Sequence, residues 1–357
     1  MKRSTLLVAC AATSAIAYPG MDRVLNEIEA RNNGIEQRST ELLGDLVSGL
    51  LSAVGLTIKS ILQGASAVAD GTTYTAPGAL GSDACSKDTC CVWSYIAAEM
   101  ADAFQDSNGC TDLARGAIRQ GFHDAATWDT SSSYGGADGS LLLSDELDRI
   151  ENRGLQATGA QTNTWFAKYQ QYGISMADLI QTAALVGTVS CPGGPRIRSF
   201  VGRNDNSEAG PTGKLPLPFQ DAQFLIDLFA AKTFTASDLV ALVGAHSTSK
   251  QSFVDPSRAG APQDSTPGVW DTKFYSETLT SDNTTILVFA SDKDLATYSQ
   301  TSGQWKVFSG GAGQATWAPA YASAYFRMSH SFAAIMLGVA IFRSPQTKAS
   351  SLVILTV

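Results

Sequence analysis

The chain has 357 residues, of which 44% are hydrophobic, 16% charged and 9% aromatic. This composition is typical of globular proteins and unlike that of disordered or collagen-like chains. The formal net charge is −8, the sequence pI is about 4.9, and no cluster of Lys and Arg recurs along the chain. We therefore expect neither nucleic acid nor an anionic membrane surface as a partner.

The first 17 residues have the form of a secretory signal. Lys2 and Arg3 precede an apolar stretch at 6–12, and Ala15-Ile16-Ala17 matches the small-residue pattern of a cleavage site. The apolar stretch is too short to cross a bilayer. We predict that residues 1–17 are removed on export and that the mature protein is extracellular, without a membrane span.

Residues 18–81 differ in character from the rest of the chain, because they contain no cysteine and their apolar residues recur at roughly helical spacing. These apolar residues are Val24, Ile28, Leu42, Leu43, Leu46, Leu50, Leu51, Val54 and Ile58. The pattern predicts one or two amphipathic helices, which Gly49, Gly55 and Lys59 make unsuitable for crossing a membrane. Residues 64–81 are rich in Ala, Gly, Ser and Thr, as linkers are. Residues 18–81 are thus a pro-segment or a packed helical extension, ending in a linker.

From residue 82 onward the pattern is mainly helical. Apolar residues at helical spacing predict helices at 97–104, 113–122, 177–186, 220–231, 239–246 and 321–339. Thr235 and Asp238 have the spacing of a capping box, which predicts where the fifth of these helices begins. No repeat with a period of 20 to 50 residues is present, which disfavours solenoids and propellers. We predict a mainly α domain at 82–345 and an atypical C-terminal tail at 346–357.

Five cysteines come after the predicted signal, namely Cys85, Cys90, Cys91, Cys110 and Cys191. Export makes disulfides the expected state of these residues. Zinc binding is a weaker alternative, because no C-x-x-C pair is present. Since five is an odd number, at least one thiol has no partner within the chain or pairs with another chain.

The first of the three histidines, His123, lies four residues after Arg119, so that both side chains share one helix face. A buried cation beside an imidazole is unfavourable unless a negative or strongly polar ligand lies there. The spacing therefore indicates either a ligand site or an ordinary surface pair.

The other two histidines occur in apolar runs. His246 ends the run that starts at Asp238, where the alternatives are a ligand and a hydrogen-bonded core histidine. His330 lies in the last predicted helix, and we expect it to be a core or a surface residue.

Two loops rich in oxygen ligands lie shortly after His123 and His246. Asp124 precedes a Gly-punctuated loop at 136–140, and Ser247 precedes a second loop at 264–271. Carboxylate, hydroxyl and carbonyl oxygens suit Ca²⁺, which accepts several oxygens in flexible geometry. An ordinary Asp/Ser/Gly turn is the alternative for either loop.

Taken together and in order, eight motifs between Cys85 and about Val339 resemble those of the fungal secreted class II haem peroxidases. They are Cys90-Cys91-x-Trp93, Arg119-x-x-Phe122-His123-Asp124, Gly135-Gly136-Ala137-Asp138-Gly139-Ser140, Glu146 with Asn152-x-Gly154-Leu155, Cys191-Pro192-Gly193, Ala245-His246-Ser247, Asp264-Ser265-Thr266-Pro267-Gly268, and Ser291-Asp292. No single motif is specific, but the ordered set is. The resemblance implies a two-lobed helical fold with haem b between distal and proximal helices.

The resemblance also implies roles for individual residues. His246 is the proximal ligand to the haem iron, and Asp292 accepts its hydrogen bond and makes the imidazole more basic. His123 is the distal base that moves the peroxide proton, and Arg119 stabilises the negative charge that develops as the O–O bond breaks. Three further residues support the distal side: Asn152 orients His123, Glu146 extends that network, and Phe122 shapes the pocket.

By the same resemblance, the two loops bind two Ca²⁺ ions and the cysteines form two disulfides. The distal calcium ligands are Asp124, Gly136, Asp138 and Ser140. The proximal ones are Ser247, Asp264, Thr266, Val269 and Asp271, with backbone carbonyls contributing. The implied disulfides are Cys85–Cys91 and Cys110–Cys191.

The sequence departs from the family at positions that decide the electron donor. Family members that oxidise Mn²⁺ have three acidic residues where this chain has Asp112, Gly116 and Ser252, and the surface Trp of lignin-oxidising members falls at Ala241. Gln263 replaces the usual proximal Phe, which leaves the haem potential open. The family's additional C-terminal cysteines are also absent, since no cysteine occurs after position 191.

We therefore expect a secreted, monomeric haem peroxidase that reduces hydrogen peroxide and oxidises small phenolic or aromatic donors in one-electron steps at the haem edge. The alternative is a degenerate, non-enzymatic secreted haem protein that uses residues 18–81 in a surface or interaction role.

Overall fold

The computed structural model describes residues 53–62, 64–69, 71, 73–280, 284–330 and 351–352. The predicted secretory signal and the apolar residues from Val24 to Leu51 lie outside the described residues. So do the end of the last predicted helix, beyond residue 330, and most of the predicted tail.

The described residues form thirteen α-helices and two pairs of short strands. The helices are α1 (Ala53–Leu62), α2 (Asp83–Ser86), α3 (Thr89–Phe104), α4 (Asp112–Ala125), α5 (Ser140–Leu143), α6 (Gln156–Tyr169), α7 (Met176–Ser190), α8 (Ala222–Ala231), α9 (Ala236–Val243), α10 (Lys273–Thr280), α11 (Ala290–Thr297), α12 (Ser302–Ser309) and α13 (Gly313–Met328). Strand β1 (Gln105–Asp106) pairs antiparallel with β2 (Gly109–Cys110), and β3 (Ser199–Phe200) with β4 (Ser351–Leu352). The predicted mainly α class is confirmed.

Three predicted helices have clearly different bounds in the structure. The helix predicted at 97–104 begins eight residues earlier, at Thr89. The run at 239–246 is divided, because α9 ends at Val243 and residues Gly244–Thr248 form a 3₁₀ turn. The last helix begins at Gly313, eight residues before the predicted start, and continues through Pro319. It ends at Met328, short of the predicted end at 339, and Ser329 and His330 form a turn. Residues 313–320 contain Gly, Pro and scattered Ala, so the helical spacing of apolar residues is not recognisable in this segment. The capping box of Thr235 and Asp238 is confirmed at the start of α9.

The helices pack in two groups, as the two-lobed expectation requires. In the first group α4 lies against α7, with α3 and α6 alongside, and in the second α9 to α13 pack on one another. Glycines allow the close approach of α4 and α7: a Cβ at Gly121 would come within 2.5 Å of Ala184 Cβ, and one at Gly187 within 2.9 Å of Ala114 O. The first group presents His123 and the second presents the turn with His246.

An aromatic cluster fixes the end of α9 just before that turn. Trp270 and Trp317 are fully buried and stack with ring centroids 5.1 Å apart. Trp317 Nε1 donates to Ala241 O at 2.9 Å, and Tyr275 Oη donates to Val240 O at 2.7 Å. Buried aromatic pairs with satisfied polar atoms contribute large, directional stabilisation. The proximal turn therefore extends from a rigid support.

Both disulfides implied by the resemblance are present. Cys85 is bonded to Cys91, and Cys110 to Cys191. Cys90 is buried and belongs to neither bridge.

The described part of the N-terminal extension contacts the main domain. In α1, Ile58, Ile61 and Leu62 are buried in the common core. Beyond α1, Arg198 N donates to Val68 O at 2.9 Å, and Tyr95 Oη donates to Gly78 O at 3.0 Å. These contacts favour a packed extension over a detached pro-segment, while the boundary at residue 81 stays a prediction.

Within the described residues no single helix is both long enough and apolar enough to cross a membrane. Only α8 taken together with 236–248, across a bend of 105°, meets that length and composition.

Candidate active site

Helix α4 places Arg119 and His123 on one face, as their spacing predicts. Thr111 caps the helix by accepting a hydrogen bond from Ala114 N. One turn before the end of the helix, Arg119 Nε donates to His123 Nε2 over 3.1 Å. The cation and the imidazole are therefore in direct contact, with His123 only 9% exposed.

The hydrogen bonds of His123 determine which ring nitrogen has the proton. Nδ1 lies 2.7 Å from Asn152 Oδ1, while Asn152 Nδ2 donates to Glu146 O at 2.7 Å. Because an amide oxygen can only accept, Nδ1 must donate, and Nε2 has a lone pair. Burial, and then the charge of Arg119, lower the pKa of His123 to about 3. His123 is thus a neutral imidazole, and its Nε2, which accepts the hydrogen bond of Arg119, is its one free site for a proton.

Glu146 contributes to this network mainly through its backbone. Its main-chain oxygen accepts from Asn152, whereas its side-chain Oε1 accepts from Gly210 N at 2.6 Å. Arg149 lies 3.7 Å from the other carboxylate oxygen. The buried Glu146 side chain therefore fixes the segment that orients Asn152.

Two other contacts define the entrance to the distal side. Arg119 Nη1 and Nη2 donate to Arg153 O at 2.9 Å and to Glu151 O at 3.1 Å, and part of the side chain stays exposed. Phe122 stacks on Phe229 with centroids 6.4 Å apart. The guanidinium is held by backbone carbonyls, with Nε facing His123.

On the proximal side, His246 pairs with Asp292. The distance from His246 Nδ1 to Asp292 Oδ2 is 3.1 Å, and the Asp292 side chain is buried. A carboxylate only accepts, so Nδ1 donates, and in the neutral ring Nε2 has the lone pair. The ring lies edge-on to Phe274 and Phe289, at 5.6 and 5.5 Å. The His246 side chain remains 33% exposed, and no hydrogen bond from the described residues uses its Nε2.

Gln263 also contacts the proximal carboxylate. Its Nε2 donates to Asp292 Oδ2 at 3.1 Å, and the residue is buried. The sequence identified this position as a departure from the family but did not predict the hydrogen bond. The only signal available was an amide where the family has an apolar ring.

The donor set fits a haem group. His246 has an open Nε2, and a carboxylate accepts the hydrogen bond of its Nδ1, which is the arrangement of a metal-ligating imidazole. His123 offers a neutral base next to a guanidinium, which suits peroxide chemistry on the other side. The residues of both pockets therefore offer the donor atoms that haem ligation and peroxide cleavage require.

The structure brings the four predicted distal calcium ligands together. Asp124 is fully buried and accepts from Gly139 N and Leu141 N, each at 3.4 Å. Asp138 Oδ1 accepts from Ser140 N at 3.1 Å, and Asp138 N donates to Gly136 O at 2.8 Å. Burial and the charge of Asp138 raise the pKa of Asp124 well above its usual range. Two buried carboxylates this close favour a bound cation.

The five predicted proximal ligands also converge. Ser247 Oγ donates to Asp264 Oδ2 at 2.9 Å and approaches Val269 O at 3.3 Å. Thr266 Oγ1 donates to Asp271 Oδ2 at 2.8 Å, and Thr266 N donates to Asp264 Oδ1 at 2.9 Å. Burial raises the pKa of Asp264 to about 7, with neighbouring carboxylates adding to the shift.

No group of three or more His, Cys, Asp or Glu side chains in the described ranges is arranged to bind a metal ion. Each predicted ligand set contains two carboxylates, so a cation there would depend largely on hydroxyl and carbonyl oxygens. Such a ligand set suits Ca²⁺ better than a transition metal.

The positions that match the Mn²⁺ site of other family members do not form a carboxylate cluster. Asp112 is 77% exposed and pairs with Arg115 and, at 3.3 Å, with Lys250. A Cβ at Gly116 would come within 2.1 Å of Thr158 Oγ1, so a side chain there would require Thr158 to move. Two cations surround the single carboxylate.

His330 is a core residue. It is 2% exposed, and its Nδ1 donates to Phe326 O at 2.7 Å. Of the two alternatives for this histidine, the core one is right.

Comparison with known proteins assigns the chain to a family. A family model described as Peroxidase matches residues 96–311. A peroxidase of Coprinopsis cinerea is 32% identical over 238 residues, covering 62% of this chain and 63% of the relative. A low-redox potential peroxidase of Taiwanofungus camphoratus is 37% identical over 177 residues (48% and 53%), and a manganese peroxidase of Phlebia radiata is 32% identical over 198 residues (53% and 54%).

The family match extends over more than half of the chain, which therefore belongs to the peroxidase family. Its relatives place it among the fungal class II haem peroxidases. The chain spans between about half and two thirds of the length of these relatives. Membership implies haem iron as the cofactor.

Proposed function

We propose that this chain is a secreted haem peroxidase that reduces hydrogen peroxide and oxidises small phenolic or aromatic donors in one-electron steps. One observation supports this most strongly. His123 has its Nε2 against Arg119 Nε and its Nδ1 on Asn152, while His246 leaves its Nε2 open and has its Nδ1 on Asp292. Peroxide cleavage at haem needs a base beside a cation on one side and a metal ligand beside an anion on the other, and these two pairs of residues match that requirement.

His246 would bind the haem iron through Nε2. When bound, haem supplies the metal that receives the peroxide and the two oxidising equivalents that donors later reduce. The buried carboxylate of Asp292 keeps the proton on Nδ1 and leaves Nε2 electron-rich.

On the distal side the residues move one proton. Peroxide would first replace Arg119 Nε as the hydrogen-bond partner of His123 Nε2. Nε2 would then accept a proton from one peroxide oxygen and return it to the other oxygen, which leaves as water. Asn152 keeps Nδ1 protonated throughout, so Nε2 alone can do this. The Arg119 guanidinium stabilises the negative charge that builds up on the departing oxygen.

The choice of donors rests on this chain's residues, because the relatives include both a manganese peroxidase and a low-redox potential peroxidase. Asp112 is already paired with two cations, and Gly116 and Ser252 supply no carboxylate. Ala241 is 1% exposed and has no redox-active ring. Small donors that reach the haem edge need neither feature.

We also propose that two Ca²⁺ ions bind, one in each oxygen-rich loop. Asp124, Gly136, Asp138 and Ser140 would bind the distal ion. Ser247, Asp264, Thr266, Val269 and Asp271 would bind the proximal ion. Since Asp124 directly follows His123 and Ser247 directly follows His246, the ions would stabilise both pockets.

Secretion and a monomeric state complete the proposal. The N-terminal signal pattern and the two disulfides support an extracellular protein. The alternative, a non-enzymatic haem protein, gives no reason for a distal base in the required tautomer beside a guanidinium.

Steady-state assays on the haem-loaded full chain test the donor assignment. A small phenol should be oxidised efficiently with hydrogen peroxide, while Mn²⁺ and a bulky non-phenolic aromatic should react poorly. Efficient, saturable Mn²⁺ oxidation would overturn the donor assignment. Failure with all three donors, despite bound haem, would favour the non-enzymatic alternative.

A further inference from the structure

Gln263 lies at the centre of the proximal hydrogen-bond network. It is 1% exposed, and its Nε2 and His246 Nδ1 each lie 3.1 Å from the same oxygen, Asp292 Oδ2. The other oxygen, Oδ1, is buried and accepts no hydrogen bond from the described residues. Two donors therefore share one carboxylate oxygen.

The orientation of the Gln263 amide is determined by its neighbours. Ser249 Oγ contacts Gln263 Oε1, and Gln263 N donates to Ser249 O at 3.2 Å. A carboxylate accepts only, so the amide NH₂ must face Asp292 and the amide oxygen must face the Ser249 hydroxyl. The reverse orientation would place two acceptor oxygens against each other.

A second donor changes what Asp292 does to His246. Hydrogen bonds to a carboxylate stabilise its negative charge and reduce its capacity to attract another proton. The proton on His246 Nδ1 is then shared less with Asp292, and the imidazole becomes less electron-rich at Nε2. The positive end of the Gln263 amide dipole also favours added negative charge nearby. Both effects would raise the reduction potential of a metal bound at His246.

We propose that Gln263 is a positioning residue that weakens the pull of Asp292 on the His246 proton and thereby raises the reduction potential of haem iron bound at His246. This inference rests on the proposed function, because it requires haem on His246. It assigns to Gln263 an effect that an apolar side chain at this position could not have.

The test compares Gln263→Leu with a matched control on the same segment. Gln251 is also buried, and its Nε2 donates to Asp255 O and Arg258 O without contacting Asp292. Gln251→Leu therefore removes the same amide at a site that should not affect the iron. The haem-loaded full chain is measured by spectroelectrochemistry for the Fe(III)/Fe(II) potential, and by resonance Raman for the iron–histidine stretching frequency.

We expect Gln263→Leu to lower the potential and raise the stretching frequency, and Gln251→Leu to change neither. Ser249→Ala, which frees the amide to rotate, should shift both quantities in the same direction by less. Ser249→Ala also provides the test if Gln263→Leu does not fold. In that case an unchanged potential and an unchanged stretching frequency in Ser249→Ala would overturn the inference.

Equal values in wild type and Gln263→Leu, or shifts in the opposite direction, would overturn the role of Gln263 while leaving the proposed function intact. A wild-type chain that binds no haem would overturn both.

Discussion

The distal and proximal pockets use the same side chain in two different ways. In both, a histidine donates from Nδ1 to an oxygen acceptor. The partner of His123 is the amide oxygen of Asn152, at 2.7 Å, and the partner of His246 is the carboxylate of Asp292, at 3.1 Å. The neighbouring charge also differs, since Arg119 contacts the first imidazole and no Lys or Arg in the described residues hydrogen-bonds to the second.

This difference shows how partner charge assigns a role to a histidine. Burial and the adjacent Arg119 cation lower the pKa of His123, so that it is an uncharged base at ordinary pH. An anionic partner makes His246 a stronger electron donor, which suits a metal ligand. Substitutions that remove or exchange these partners should therefore affect haem binding and peroxide cleavage separately.

The largest effect is expected for His246→Ala, which removes the proposed ligand. Haem retention should weaken more than 100-fold, beyond the roughly 10–100-fold loss typical when only a supporting partner of a ligand is changed. Transfer of haem to excess apomyoglobin, followed at the Soret band, measures this. The same assay on His123→Ala is the control, and equal retention by both variants would contradict the assignment of the two pockets.

His123→Ala should retain haem but lose peroxide cleavage. Without the base, the second-order rate constant with hydrogen peroxide should fall by roughly 10²–10⁴-fold, the usual contribution of general acid–base catalysis. Stopped-flow mixing at the Soret band measures it. A rate within a few fold of wild type would show that another group moves the proton.

Asn152→Asp gives the distal histidine a partner like the proximal one. A carboxylate favours the charged imidazole and should raise the pKa of His123 from about 3 by about 1–3 units. The neutral base is lost as the pH falls through this pKa. Wild type should therefore keep its peroxide rate constant from pH 7 down to about pH 4, whereas the variant should already decline near pH 5. Coinciding pH profiles would contradict this.

Calcium removal should have the smallest of these effects and should reach both pockets. For an ion present at about 100 times its Kd, chelation should remove about 2.7 kcal/mol, which corresponds to a Tm lower by roughly 5–10 °C. Asp124→Asn and Asp264→Asn separate the two loops, each measured by thermal melting with and without a chelator. An unchanged Tm, with no bound calcium by elemental analysis, would refute the proposed sites.

Much of the site could be predicted from the sequence. Some of its residue pairs have a spacing that helix geometry explains, and others belong to the ordered motifs of the family resemblance. Arg119 and His123 are one helical turn apart, and Thr235 with Asp238 marks a helix start. The contact between Gln263 and Asp292 could not be predicted, because 29 residues separate them and only the fold brings them together.

The remaining differences also have physical reasons. Glu146 binds Asn152 through its backbone, which no side-chain pattern reveals. The 3₁₀ turn with His246 comes directly after α9 without a change in apolar period. It is the aromatic cluster around Trp317, assembled from residues far away in the chain, that fixes the end of this helix.

The most direct test of the central claim is a sequential mixing experiment on the haem-loaded full chain. Ferric protein is mixed with one equivalent of hydrogen peroxide, and then with increasing amounts of a small phenol, while the Soret band is monitored. We expect a rapid Soret change that His123→Ala abolishes on the same timescale, and full return of the ferric spectrum after two equivalents of phenol. A Soret band that peroxide leaves unchanged, with haem still bound to His246, would contradict the claim that these two pockets cleave peroxide.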